Sequence, residues 1–322
     1  MDKAIFVTWE KHRRTRSISD YFSLDLWEIT TNKSGFSRYC YLTLRTIWRM
    51  VRERPGLVFC QNPSLILSFL CVLLRPFFKY KLIIDRHSSF KFETRRSKSM
   101  FYRVFHKISD YTVAKADITI ITNKVLSEFV KICGGCPFIL PDPLPFFGES
   151  KLKEGGNYFV FVSSMGEDEN LDQAISAFKR MPEENLYISG NYKKAVLSGD
   201  IYLCDLPENI KLTGFLSDDD YLSLISGSRG MIVFTSNDYT LTCGAYEAVS
   251  LKKPMILSNT ETMKSLFSKG AVYVSGDSLS FIAGVKEFQE SENTLLREVS
   301  EFNTSYKLKW REWAAELERK LI

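Results

Sequence analysis

The residues best suited to do chemistry begin with the run YTLTCGAYEAVSLKKP, Tyr239 to Pro254. Gly244 stands where a helix is expected to start, and a glycine there lets a phosphate approach free N–H groups and the positive end of the helix dipole. Glu247 follows one turn later. It either accepts hydrogen bonds from sugar hydroxyls or is a solvated first-turn glutamate complementing the dipole. His87, one of three histidines, ends the strand-like run KLIIDRH two residues after Asp85. Open α/β sheets present functional groups at strand C-terminal ends, and an imidazole there suits hydrogen bonding or proton transfer. The plainer reading is a packed polar residue. Arg13, Arg14 and Arg16 follow the first strand-like run, where a dinucleotide-binding fold would carry glycines. They predict a basic loop contacting an anion, with Ser17 capping the next helix, or simply an exposed basic turn. The acids of SDDDY, 217–221, suggest a metal at first sight. Ser217 as N-cap with dipole-complementing carboxylates is the better explanation, and no metal is expected.

The elements that must position these groups alternate strand with helix. Strands are expected at 4–9, 57–61, 81–85 and 118–122, with helices near 36–53, 64–75, 98–114 and 123–132. A Gly- and Pro-rich stretch, 133–157, reads as a linker. The pattern resumes with strands at 158–164, 185–190, 209–215, 230–235, 254–258 and 271–275 and helices over 170–180, from 218, and near 243–251. An amphipathic tail carries Trp310, Trp313, Leu317 and Leu321 at helical spacing. The fold class is therefore α/β: two Rossmann-like doubly wound domains facing a central cleft. The expected boundaries are 1–150 and 151–302, with a helix of about 303–322 packing back on the first domain.

The 322 residues carry a net charge of +5 that is unevenly spread. Residues 1–150 hold 24 Lys and Arg against 13 Asp and Glu, whereas the remainder has an excess of six acids. An anionic partner is therefore expected for the first half alone. Arg38, Arg45, Arg49, Arg52 and Arg54, with Arg95, Arg96 and Lys98, suit a membrane surface or are ordinary solvated helix faces. Nucleic acid is disfavoured, because no helix-turn-helix, zinc or RNP-type motif accompanies the charge. The longest apolar run, LILSFLCVLL, is too short to span a bilayer, and no secretory signal is read at the N-terminus. The scattered cysteines, with one C-x-x-C at Cys133 and Cys136, read as reduced thiols of a cytoplasmic protein.

The string GAYEA, followed by LKKP and an apolar strand, resembles the donor-binding signature of GT-B glycosyltransferases, particularly glycosyltransferase family 4. NIKLTGFLSDDDYLSLISGSRGMIVFTS is similar to the same family's strand, Gly-Phe turn, helix and strand. FVSSMGEDENLDQAISAF and FCQNPSLIL with KLIIDRHSSF resemble the group that adds mannose to a chitobiosyl-diphosphate lipid. The first of these families retains anomeric configuration and the second inverts it. The resemblance implies that Glu247 holds the ribose of a UDP- or GDP-linked sugar. It implies that the backbone of Thr242, Cys243, Gly244, Ala245 and Tyr246 faces the diphosphate and sugar. Phe215 and Leu216 would lie beside the base, and Ser164 at a strand end near the donor. His87 and Asp85 would be catalytic, meeting the transferred sugar or the acceptor. No cofactor or metal is implied.

Two positions depart from the family pattern. Tyr239, beside Asp238, stands where family 4 has a second glutamate, and Met165–Asn170 lacks the usual Arg and Lys. Lys193 and Lys194, after the turn at Gly190 and Asn191, are the expected replacement charge on the diphosphate, or else a solvated loop. Arg13, Arg14 and Arg16 become acceptor contacts. The expectation is a glycosyltransferase of cell-surface polysaccharide biosynthesis, using a lipid-diphosphate or glycan acceptor and peripheral at the inner face of the membrane. A catalytically inactive nucleotide-sugar-binding scaffold is the alternative, and a nucleic-acid-binding protein the weaker one.

Overall fold

In a computed structural model, the chain is described over residues 3–62, 64–87, 90–148, 155–192 and 206–321. It forms two compact units, Met1–Pro143 with Trp310–Ile322 and Leu144–Lys309. The division falls inside the proline-rich PDPLPFF rather than at 150.

The first unit is a six-stranded parallel sheet built from β1 (Ala4–Thr8), β2 (Asp25–Glu28), β3 (Leu57–Gln61), β4 (Lys81–Asp85), β5 (Ile118–Ile121) and β6 (Pro137–Ile139). Its order is β2-β1-β3-β4-β5-β6. Helices α1 (Arg13–Tyr21), α2 (Gly35–Glu53), α3 (Leu65–Phe78), α4 (Met100–Lys115) and α5 (Lys124–Ile132) connect the strands. Central strands such as Leu82–Asp85 are buried throughout, as parallel strands covered on both faces must be. β2 was not expected, because Asp-Leu-Trp-Glu is short and has an acid at each end. Those acids are neutralised, Asp25 by Lys3 at 2.8 Å and Glu28 by Arg16 at 2.7 Å, while Trp27 fills the core between them. α3 continues past Pro76, where a stop was expected at Arg75. Only the final turn follows that proline, and Lys79 closes the helix in a left-handed conformation, donating to the Arg75 carbonyl at 2.7 Å.

The second unit repeats the design with β7 (Phe159–Val162), β8 (Leu186–Ser189), β9 (Ile210–Gly214), β10 (Gly230–Val233), β11 (Met255–Ser258) and β12 (Ala271–Val274), all parallel, in the order β12-β11-β10-β7-β8-β9. Its helices are α6 (Leu171–Lys179), α7 (Asp218–Gly227), α8 (Cys243–Ser250), α9 (Glu261–Leu266) and α10 (Ser278–Leu321). Buried Phe159 packs edge-on against Phe178 and Phe288, joining α6 and α10 to the sheet. The amphipathic tail is not a separate helix from about 303 but the C-terminal part of the 44-residue α10. From Trp310 onward it belongs to the first unit. There the Trp310 indole donates to the Pro141 carbonyl at 2.9 Å and meets Tyr21 edge-on.

Both sheets are the doubly wound type. Strand order reverses between β1 and β3, and again between β7 and β10, so ligands are expected at the C-terminal ends of those strands. Among the described residues, no helix is long and apolar enough to cross a membrane.

Candidate functional sites at the two strand switch points

At the second unit's switch point, the loop after β7 is built around carboxylates. Glu169 is buried; it accepts the Ser163 and Ser164 hydroxyls and, at 2.8 Å, the Ser164 backbone N–H. Asp168 reaches the loop after β10, accepting from Thr235 Oγ1 at 2.5 Å and Asn237 Nδ2 at 3.0 Å. The acids that replace the family's Arg and Lys thus staple the ends of β7 and β10 together. Ser164, expected at the donor, has its hydroxyl engaged by Glu169. Gly190 ends β8 at φ +119, and a Cβ there would lie 2.3 Å from the Ser163 carbonyl oxygen, so only glycine fits where β8 passes the β7 loop. Asn191 beside it is exposed. Lys193 and Lys194 lie outside the described residues.

The helix start expected near 243 is α8, with Thr242 at its N-cap. The Thr242 hydroxyl caps no N–H and is buried without a hydrogen-bond partner among the described residues. The first N–H groups of a helix have no acceptor within it, which leaves this end ready for an anion. A Cβ at Gly244 would stand 3.1 Å from both Val162 and Val233, so besides any approach of a ligand the glycine lets α8 lie close on β7 and β10. Ala245 and Tyr246 point inward too, Tyr246 packing edge-on against Phe267 and Tyr306, so these two can face a ligand only through backbone. Cys243 is exposed.

Glu247 is 8% exposed, which removes the reading of a solvated dipole-complementing residue. Its Oε2 accepts the Tyr221 hydroxyl of α7 at 2.7 Å. Tyr221 carries no sequence signal of its own; only the fold brings it 26 residues across to Glu247. Ser217 is the N-cap of α7, accepting from the Asp220 N–H at 3.2 Å, as its spacing predicts. Phe215 is 88% exposed just past β9, and Leu216 is half-buried beside it. Asp238, beside the tyrosine that replaces the family's second glutamate, binds the start of α9 through Thr262.

The first unit brings its candidates to the ends of β1, β3 and β4. Asp85 is fully buried and receives Arg14 Nε at 3.1 Å on both oxygens and Nη2 at 2.9 Å. Arg14 also donates to Asp142 at 2.6 Å and to the Leu140 carbonyl at 2.9 Å. Burial alone would raise the Asp85 carboxyl, but Arg14 and His87 outweigh it and hold it well below the usual carboxylate range. His87 Nδ1 lies 3.2 Å from Asp85 Oδ2. An ionised carboxylate can only accept, so with Asp85 charged the hydrogen bond is made by the Nδ1–H tautomer, which leaves Nε2 for another partner. His12 stacks beside it, ring centroids 4.7 Å apart, and is held below its ordinary value by burial and then by His87. His12 was overlooked because it sits among arginines; its place is fixed by the switch in strand order, not by local spacing.

The expected arginine loop is corrected on two counts. Residues 13–21 are helical, so Ser17 is not a cap; the N-cap position is His12. Arg14 is buried in the ion pair with Asp85, and Arg16 binds Glu28 at 2.7 and 2.8 Å. Of the three, Arg13 and Arg16 are exposed. Among the described residues no group of three or more His, Cys, Asp or Glu is arranged to hold a metal ion.

The family model for glycosyl transferases group 1 matches residues 145–303, a span that includes both the stapled β7 and β10 loops and α8. No curated protein sequence matches the chain. Among solved structures, sucrose-phosphate synthase from Thermosynechococcus elongatus is similar at TM-score 0.72 and 11% identity, over 96% of this chain and 84% of that one. HepE from Anabaena in complex with UDP-glucose is similar at TM-score 0.71 and 14% identity, over 100% of both chains. The UDP-GlcNAc 2-epimerase from Methanocaldococcus jannaschii is similar at TM-score 0.53 and 12% identity, over 84% of this chain and 81% of that one. These likenesses show the GT-B fold. An epimerase has it too, so the transferase assignment rests on the family match.

Proposed function

Residues 145–303 belong to the glycosyl transferases group 1 family, and from that premise we propose that the chain moves a sugar from a UDP-sugar to a hydroxyl of a lipid-linked or polysaccharide acceptor. In the transfer, the acceptor oxygen bonds to the anomeric carbon while that carbon's bond to the β-phosphate oxygen breaks, UDP leaves, and the hydroxyl's proton passes to the departing phosphate or to solvent. The product belongs to a cell-surface glycan, and the protein works peripherally at the inner face of the membrane. The observation that carries the reading is the coincidence of the family match with the β7–β10 switch point. There the N-terminus of α8, an unpartnered Thr242 hydroxyl and the buried Glu247 come together.

In this proposal the N–H groups at the start of α8 take the diphosphate, Glu247 takes the ribose hydroxyls, and Phe215 lies against the base. Uridine is the base because HepE of the same fold is described with UDP-glucose. His87, braced by Asp85, offers Nε2 to the transferred sugar or to the acceptor, and Arg13 meets an anionic group of the acceptor. Arg14 holds Asp85 rather than substrate, and no metal takes part. Release of UDP from a panel of UDP- and GDP-sugars, with and without a lipid-diphosphate acceptor, tests the reading. Turnover of a UDP-sugar supports it; an intact protein that turns over none overturns it.

A further inference from the structure

α2 is apolar on two opposite faces. Leu42, Thr46 and Met50 are buried against the unit. Phe36, Leu44, Trp48 and Val51 recur at spacings of four, seven and eight on the other side and stand exposed, Phe36 by 84% and Leu44 by 67%. An outward apolar face flanked by cations is the pattern of a helix that lies in a membrane interface. The stretch 35–52 contains four arginines and no acid. Arg45 and Arg52 both lie 5.4 Å from the Trp48 ring, and neither has a carboxylate partner among the described residues. Beside them, Tyr41, Arg45, Trp48 and Arg49 line a hollow of about 220 Å³ closed by the end of β2, where Glu28 is already bound by Arg16. The neighbouring α3 has no acid either, and its Phe77 is 80% exposed.

We propose that this face of α2 lies on a bilayer containing anionic phospholipids. Leu44, Trp48, Val51 and Phe36 enter the boundary between headgroups and acyl chains, and Arg45 and Arg52 take lipid phosphates. Charge decides the occupant. Two unpaired guanidinium groups beside an exposed indole, with the helix's one acid, Glu53, at its far end and held by Lys3 and Arg49, match an anionic interface and repel a second copy of the same face. The inference rests on the transferase reading only in that a lipid-linked acceptor gives such docking a purpose.

The test is co-sedimentation of the full chain, without any sugar nucleotide, with vesicles of pure phosphatidylcholine or with 30 mol% phosphatidylglycerol (roughly, to set the surface potential). Binding is expected to the anionic vesicles, with a blue shift of tryptophan emission. Arg45→Gln/Arg52→Gln should weaken it about 30-fold at low salt, from roughly a five- to sixfold loss per cation, and Leu44→Glu/Val51→Glu should abolish it. Both variants should keep the wild-type melting temperature and nucleotide binding, since none of these side chains is buried. Equal partition of wild type and both variants would overturn the proposal. So would a dimer in sedimentation velocity that ignores vesicles and dissociates in the Leu44→Glu/Val51→Glu variant. A chain that binds vesicles yet turns over no sugar nucleotide defeats the transferase reading alone. One that transfers to a soluble acceptor but ignores vesicles defeats this one alone.

Discussion

Arg14→Met strands the carboxylate of Asp85 inside the first unit. Arg14 and Asp85 have side chains 1% and 0% exposed, joined by contacts of 2.9 to 3.1 Å. Removing one partner of such a pair costs about 3–5 kcal/mol, because the survivor's desolvation is no longer offset. A unit of this size melts roughly 2–4 °C lower for each kcal/mol, so its transition should fall by about 6–20 °C. Calorimetry on the full chain reads this directly. Arg14→Met/Asp85→Leu, which removes both charges, should recover most of the loss. The pH dependence has a sign as well. In the wild type the depressed Asp85 pKa contributes stability that is present above its ordinary value of 3.8 and is lost as pH falls through the folded value. Without Arg14, only His87 opposes burial and Asp85 rises from its wild-type value, so the deficit of Arg14→Met should narrow on acidification as the stranded carboxylate takes up a proton. A shift of less than about 2 °C, or a double variant no better than the single one, would refute the buried-pair reading. An Arg14 that touches acceptor would instead leave melting unchanged and raise the acceptor KM.

Gly244→Ala should destabilise the second unit by about 1–3 kcal/mol, since its Cβ must press on Val162 and Val233. If the glycine served only ligand approach, the substitution would raise the melting temperature and weaken nucleotide binding. Arg86 is buried, stacked 4.0 Å from the Phe90 ring, with Nε and Nη1 unpartnered among the described residues, and burial followed by Arg95 lowers it to about 10. Arg86→Met should therefore be neutral or stabilising in chemical denaturation; a loss above about 2 kcal/mol would reveal a partner the guanidinium cannot do without. His12 titrates below its ordinary 6.5 in the folded chain. Between that lowered value and 6.5 the unfolded chain binds the extra proton, so stability rises with pH there, and His12→Gln should flatten the slope. Parallel pH profiles for the two proteins would count against it.

The parallel sheets were legible because their strands are continuous apolar runs separated by helical periodicity, as at KLIID and AVYVS. β2 escaped because its two interior residues sit between acids whose partners, Lys3 and Arg16, come from elsewhere in the chain. The segment 239–254 was legible as a string that opens a helix. The purpose of its glycine was not, because a helix packed close on two valines and a helix open to phosphate both favour glycine. Arg14 read as a surface cation since its partner, Asp85, lies 71 residues away and in sequence is merely a strand-ending acid. The same holds for Glu169 and Asp168. As a sequence, Glu-Asp-Glu is a missing basic pair; folded, it fastens two strand ends. Tyr221 and His12 were missed for one reason: proximity to Glu247 and His87 comes from strand order, which no local window contains.

The central claim is that the β7–β10 switch point binds a UDP-sugar through Glu247. Calorimetric titration of UDP and UDP-glucose into wild type and Glu247→Ala tests it without needing the acceptor. Loss of a hydrogen bond to a charged group costs about 1.5–3 kcal/mol, so the account predicts an affinity roughly 10- to 150-fold weaker in the variant, measured where its melting curve shows it still folded after the loss of the Tyr221 bond. Equal affinity for the two proteins, or no binding of any uridine nucleotide by the intact wild type, would contradict it.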